Sequence, residues 1–163
     1  MQAIKENSGY EWVGADFQFM PEQLFEEDYH DAKAYHRRAL QYLEAGQPAS
    51  LVFNVASLAL ERFLVAICDL HGVEPMNHNF ISLMKDVDKL VETPRELSRE
   101  IRSLDGIFGI CFLDNYYHGT PDVADMEKVL RLFNEVWKLF DEEKIASVRQ
   151  LLAQQKEIEN SII

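Results

Sequence analysis

The sequence predicts an all-α fold: an up-and-down bundle of about five helices preceded by an aromatic N-terminal arm. Three observations carry this. Apolar residues recur at helical spacing from residue 28 onward, and Gly and Pro punctuate the chain at helix-length intervals. Hydrophobic residues at 47% against charged residues at 27% give the balance of a globular chain rather than a disordered one. A length of 163 residues suits one domain with a core of its own, and no repeat or linker divides it.

Residues 1–27 read as an arm or small hairpin, because Tyr10-Glu11-Trp12 and Phe17-Gln18-Phe19 alternate apolar and polar residues. Tyr10, Trp12, Phe17, Phe19 and Phe25 are too many aromatics to leave in water, so they are expected to dock on the bundle or on a second subunit. Residues 28–163 are expected to form the bundle. Its first helix starts between Pro21 and Asp28, presents Ala32, Tyr35, Ala39, Tyr42 and Leu43 as one stripe, and ends at Gly46. The second runs from Pro48 to His71 and is stopped by Gly72. Its wide apolar face, from Val52 through Phe63 to Ile67, marks the central helix of a bundle.

Asn77 is expected to cap a third helix carrying Phe80, Ile81, Leu83, Met84, Val87 and Leu90. Thr93-Pro94 and Thr120-Pro121 each read as an N-cap followed by proline at the first helical position. They open a fourth helix, running through Leu97, Ile101, Leu104, Phe108, Cys111 and Phe112 to His118-Gly119, and a fifth containing Met126, Val129, Phe133, Val136, Trp137 and Phe140. From Glu142 the composition is again helical, either as a continuation or as a separate short helix.

The formal charge of −12, from 16 Lys+Arg against 28 Asp+Glu, disfavours non-specific binding of nucleic acid, which needs cations against phosphates. His36-Arg37-Arg38 is the one compact basic run. Cys68 and Cys111 both sit in apolar helical patterns and read as buried free thiols; neither metal-ligand spacing nor a disulfide scaffold is present. No secretory signal pattern is visible, and Glu61-Arg62 and Asp105 interrupt the longest apolar runs, so a soluble cytoplasmic protein without a membrane span is expected.

Few residues point to chemistry. Glu27-x-x-His30 has the spacing of di-iron bundles, but such a site needs a second copy and two further glutamates, so no metal and no other cofactor is expected. Asn77-His78-Asn79 places an imidazole at the mouth of the third helix, either as an exposed first-turn residue or as a contact for a ligand or partner. The stretch Asp114-Asn115-Tyr116-Tyr117-His118-Gly119-Thr120-Pro121-Asp122 concentrates polar groups at a helix junction. On a helix, Asp114 and His118 share a face and can hydrogen-bond. The pair fits an imidazole held in one tautomer for acid–base work, and equally a surface pair at a helix C-terminus. No nucleophile elbow or phosphate-cradling loop occurs.

Three segments in order carry a family resemblance. The first is the run Ala56 to Gly72 with Glu61-Arg62 before an apolar stretch; the second is Pro75 followed by Asn77-His78-Asn79-Phe80; the third is Tyr116-Tyr117-His118-Gly119-Thr120-Pro121-Asp122. Together they resemble the HEPN superfamily of helical bundles over roughly residues 28–140. The resemblance implies a dimerising bundle that is either a ribonuclease or a partner of a minimal nucleotidyltransferase in a toxin–antitoxin pair. The family's nucleases carry an Arg four to six residues before a His. Here His118 has Asp114 in that neighbourhood, and the nearest upstream arginine is Arg102. A carboxylate there would repel a phosphate transition state. The resemblance therefore points to the non-nuclease branch: a non-catalytic module, homodimeric, binding a nucleotide or a nucleotidyltransferase through Asp114, Tyr117, His118 and His78. A diverged metal-independent ribonuclease built on His118 and a purely structural homodimer are the alternatives.

Overall fold

A computed structural model describes residues 19–107 and 120–162. Among these residues the chain is all-α, as expected, with six α-helices rather than about five: α1 (Phe25–Glu44), α2 (Ala49–Leu70), α3 (Phe80–Leu90), α4 (Arg95–Ser103), α5 (Val123–Trp137) and α6 (Glu142–Ile162). Short 3-10 turns, Pro21–Leu24 and Leu104–Gly106, precede α1 and follow α4.

Helices α1 and α2 lie antiparallel, since Asp28 near the start of α1 reaches Arg62 near the end of α2, at 2.6 Å. The turn between them uses Gly46 at φ +68°, and α2 is closed by Gly72 at φ +72°, two positions where a side chain would be strained. At Gly72 a Cβ would also stand 2.8 Å from Glu22 Oε1. Helix α2 is the centre of the bundle, with α1, α3 and α5 packed around it. It is long and apolar enough to cross a membrane, with mean hydropathy 1.9, yet 67% of that stretch is buried inside the bundle.

The core is an aromatic pile joining α1, α2 and α5. Phe63 stacks on Phe133 at 4.3 Å, and His36 covers the other side of Phe133 at 4.0 Å. Tyr29 and Phe140 close the cluster around Phe63 at 5.5 and 5.0 Å, with Phe25 stacked on Tyr29. Rings at these separations contribute contact beyond their buried area. The stripe expected on α1 is only partly the buried one: Ala32 and Ala39 are fully buried, whereas Tyr35 and Leu43 are exposed. The buried face is instead Phe25, Tyr29, Ala32 and Ala39, which lets α1 lie close on α2. Of the five aromatics of the expected arm, Phe25 is fully buried and Phe19 is exposed; Tyr10, Trp12 and Phe17 lie outside the described residues. Cys68 is buried, and its thiol is pushed up to about 12 by desolvation; Cys111 lies outside the described residues.

Four boundaries differ from expectation, each for a local reason. Helix α3 is capped by Asn79, whose Oδ1 accepts the Ser82 N–H at 2.8 Å, not by Asn77. At the two Thr-Pro steps the proline sits just outside the helix: Pro94 is itself the cap residue of α4, and α5 starts after Asp122. Asp122 and Asp125 form a reciprocal capping box with bonds of 2.9 and 3.1 Å, a carboxylate version of the usual motif. Regular α-helix in α4 ends at Ser103, because the next residues tighten into a 3-10 turn that turns Asp105 inward. Of the two possibilities for the tail from Glu142, a separate helix is the one observed: α6 has 21 residues, and Asp141 Oδ1 accepts the Glu143 N–H at 2.9 Å and starts it afresh after Phe140.

Candidate functional site

Of the four residues singled out by sequence, Asp114, Tyr117 and His118 lie outside the described residues. His78 is described, and its surroundings define the candidate site. The chain leaves α2 at Gly72 and returns toward α3 through a connector in which Pro75 is buried and Met76, Asn77 and His78 are exposed. Asn79 then fixes the first turn of α3, so the residue before it is held against the flank of α2. There, His78 Nδ1 lies 2.9 Å from Glu61 Oε1.

The two partners are unequally exposed: the Glu61 side chain is 14% accessible and the His78 ring 42%. The carboxylate can only accept, so Nδ1 carries the proton, and in the neutral ring Nε2 is left as an acceptor. Nε2 has no hydrogen-bond partner among the described residues. The imidazole is thus held by one nitrogen and presents the other outward. Neutral, it accepts from an N–H donor such as the exocyclic amine of a base; protonated, it donates to an anion.

The next residue along α2, Arg62, is committed inward. Its Nη1 donates to the buried Asp28 carboxylate at 2.6 Å, which raises the guanidinium above its ordinary value, against the opposing effect of burial. Beside that pair, Asp69 is buried at 2% exposure and its Oδ2 accepts no hydrogen bond among the described residues. Burial first, and then the Asp28, Glu22 and Glu74 carboxylates, push the Asp69 carboxyl up to about 8. Sequence reading missed this inner carboxyl pair. The signal was present in Asp69 itself, an acid inside the run Val65-Ala66-Ile67-Cys68-Asp69-Leu70.

No group of three or more His, Cys, Asp or Glu side chains among the described residues is placed to hold a metal ion. Glu27 and His30 are both exposed, with His30 Nδ1 3.8 Å from Asp31. A separate groove of about 600 Å³ runs between α1 and α2, floored by Val55 and Leu58 and edged by Tyr35, Arg38 and Tyr42.

Comparison of the chain with models of known families, with curated proteins and with solved structures returns no match in any of the three.

Proposed function

We propose that this chain is a non-catalytic HEPN-like interaction module. It binds a nucleotide, or a nucleotidyltransferase partner in a toxin–antitoxin-like pair, through a surface that includes Glu61 and His78. The observation that carries this reading is the 2.9 Å contact between those two side chains. It joins two of the three segments on which the HEPN resemblance rests, Glu61-Arg62 and Asn77-His78-Asn79, into one exposed polar patch. Asp114, Tyr117 and His118 belong to the same reading on sequence grounds. Binding rather than cleavage is favoured by Asp114, which stands in the neighbourhood where the family's nucleases carry a guanidinium. A net charge of −12 suits a small nucleotide or a protein partner better than a long nucleic acid.

Calorimetric titration with nucleoside mono- and triphosphates tests this reading. The wild-type chain is expected to give saturable heat with one nucleotide class. His78→Ala, which leaves the Asn79 cap in place, is expected to weaken that binding by about fivefold to twentyfold, the worth of one hydrogen bond. Equal affinity in both proteins would remove His78 from the site. Silence with every nucleotide would leave only the partner-binding half of the proposal.

A further inference from the structure

At the far end of α3 from His78, a helix length of about 16 Å away, a second polar feature faces solvent. Asp88 at the end of α3, the connector residues Val91, Glu92 and Thr93, and the outer face of α4 line an open cleft of about 500 Å³. Arg95, Arg99 and Arg102 all line it. Their i, i+4, i+7 spacing places them on one face of a nine-residue helix, a concentration of guanidiniums in a chain whose formal charge is −12.

The three arginines are held differently. Arg102 is fixed in advance: its Nη2 donates to Asp88 Oδ2 at 3.0 Å and its Nε to Ser98 Oγ at 3.2 Å, while Ser98 Oγ donates to the same Asp88 oxygen at 2.7 Å. This closed triangle engages one oxygen of Asp88 and orders one guanidinium at the cleft wall. Among the described residues Arg99 is paired only with Glu96, and both side chains are largely exposed. Such a pair contributes little and exchanges readily for a better anion. Arg95 makes no ion pair among the described residues. Glu92 is the other carboxylate on the rim. With Asp88 held by Ser98 and Arg102, and Glu96 only in an exposed pair, the guanidiniums of Arg95 and Arg99 can turn toward the cleft. Helix α4 also opens here without a side-chain cap.

We infer that this cleft is a second ligand site, separate from the Glu61–His78 patch, and that it takes the phosphate or diphosphate group of a small phosphorylated molecule. Guanidinium forks match phosphate oxygens in pairs, and one pre-ordered arginine with two mobile ones can surround such a group. The polar, arginine-bearing lining favours an anion over an apolar ligand.

Inorganic pyrophosphate is the probe, titrated calorimetrically at low ionic strength into the full chain and into two double variants. Arg95→Gln with Arg99→Gln removes both mobile guanidiniums from exposed helix positions without touching the Asp88–Ser98–Arg102 triangle. Arg37→Gln with Arg38→Gln removes as much charge from exposed positions on α1. The wild-type chain is expected to bind saturably, the α4 variant at least about tenfold more weakly, and the α1 variant like wild type. Circular dichroism on both variants confirms that they fold. No saturable binding by the wild-type chain, or equal weakening in the two variants, would overturn the inference. Either result leaves the His78 reading untouched, because that patch lies at the other end of α3.

Discussion

Replacing Asp105 by alanine is expected to lower the unfolding free energy by about 2–4 kcal/mol, from the loss of two charge-assisted hydrogen bonds and the orphaning of buried amides. Every amide in the first turn of α3 has a named acceptor. Phe80 N–H and Ile81 N–H donate to the two oxygens of Asp105 at 2.9 and 2.8 Å. Ser82 N–H goes to the Asn79 side chain and Leu83 N–H to the Asn79 carbonyl. Asp105 supplies half of that set from the turn after α4, and it is 4% exposed, so water cannot replace it. The same carboxylate sits at the positive end of the α3 dipole. Its removal should loosen the start of α3 and with it the connector that carries His78. Asp105→Asn, which keeps one acceptor oxygen, should recover about half of the loss. Urea unfolding followed by circular dichroism gives the numbers. A loss below about 0.5 kcal/mol for the alanine variant would mean that the cap contributes nothing of note.

The second large effect is one of pH and has the opposite sign. In the folded chain the Asp69 carboxyl is raised from 3.8 to about 8, chiefly by desolvation and then by the neighbouring Asp28. The folded state therefore holds a proton that the unfolded chain releases across this window. Since stability changes with pH as the difference in protons bound, the contribution of Asp69 is greatest below about 4. It falls as pH rises through the window toward 8. Asparagine at position 69 has nearly the same shape and stays neutral, so it removes the buried charge while keeping the packing. Asp69→Asn is expected to be more stable than wild type at pH 8.5 by on the order of 2–4 kcal/mol, and about equal to it near pH 4. His36 and His71 work the other way. Burial lowers both from 6.5, so their share of stability is lost as pH falls below that value. They are common to both proteins, so the difference between wild type and variant isolates Asp69. Thermal unfolding at a series of pH values reads it, and parallel curves for the two proteins would show that Asp69 is not the source.

Asp69 and Asp105 also mark what could and could not be read from the sequence. Local signals were legible. The apolar face of α2 and the glycine stops at Gly46 and Gly72 locate helices correctly, because periodicity and left-handed backbone depend on neighbours in the chain. Features made by distant partners were not. Asp105 caps a helix that begins 25 residues earlier, which is why Asn77 rather than Asn79 looked like the cap. Both Thr-Pro steps stand just before a helix start, but they gave the wrong cap residues. A dipeptide does not say whether its proline lies just inside or just outside the first turn. At the candidate site, the sequence singled out His78 through its place before an amphipathic helix. Its partner Glu61 belongs to another of the segments that carry the resemblance, but it stands 17 residues away on another helix and nothing local showed the pairing. The cleft on α4 was hidden because Arg95, Arg99 and Arg102 are spread among acids along the chain and come onto one face only when wound into a helix.

Binding without cleavage is tested most directly by incubating the purified chain and its His118→Ala variant with single-stranded and structured RNA and resolving the products on a gel. The same low background from both proteins is the predicted result, since the segment around His118 carries Asp114 where the resembling nucleases carry arginine. Cleavage by the wild-type chain that disappears in His118→Ala would contradict it and make this protein a ribonuclease.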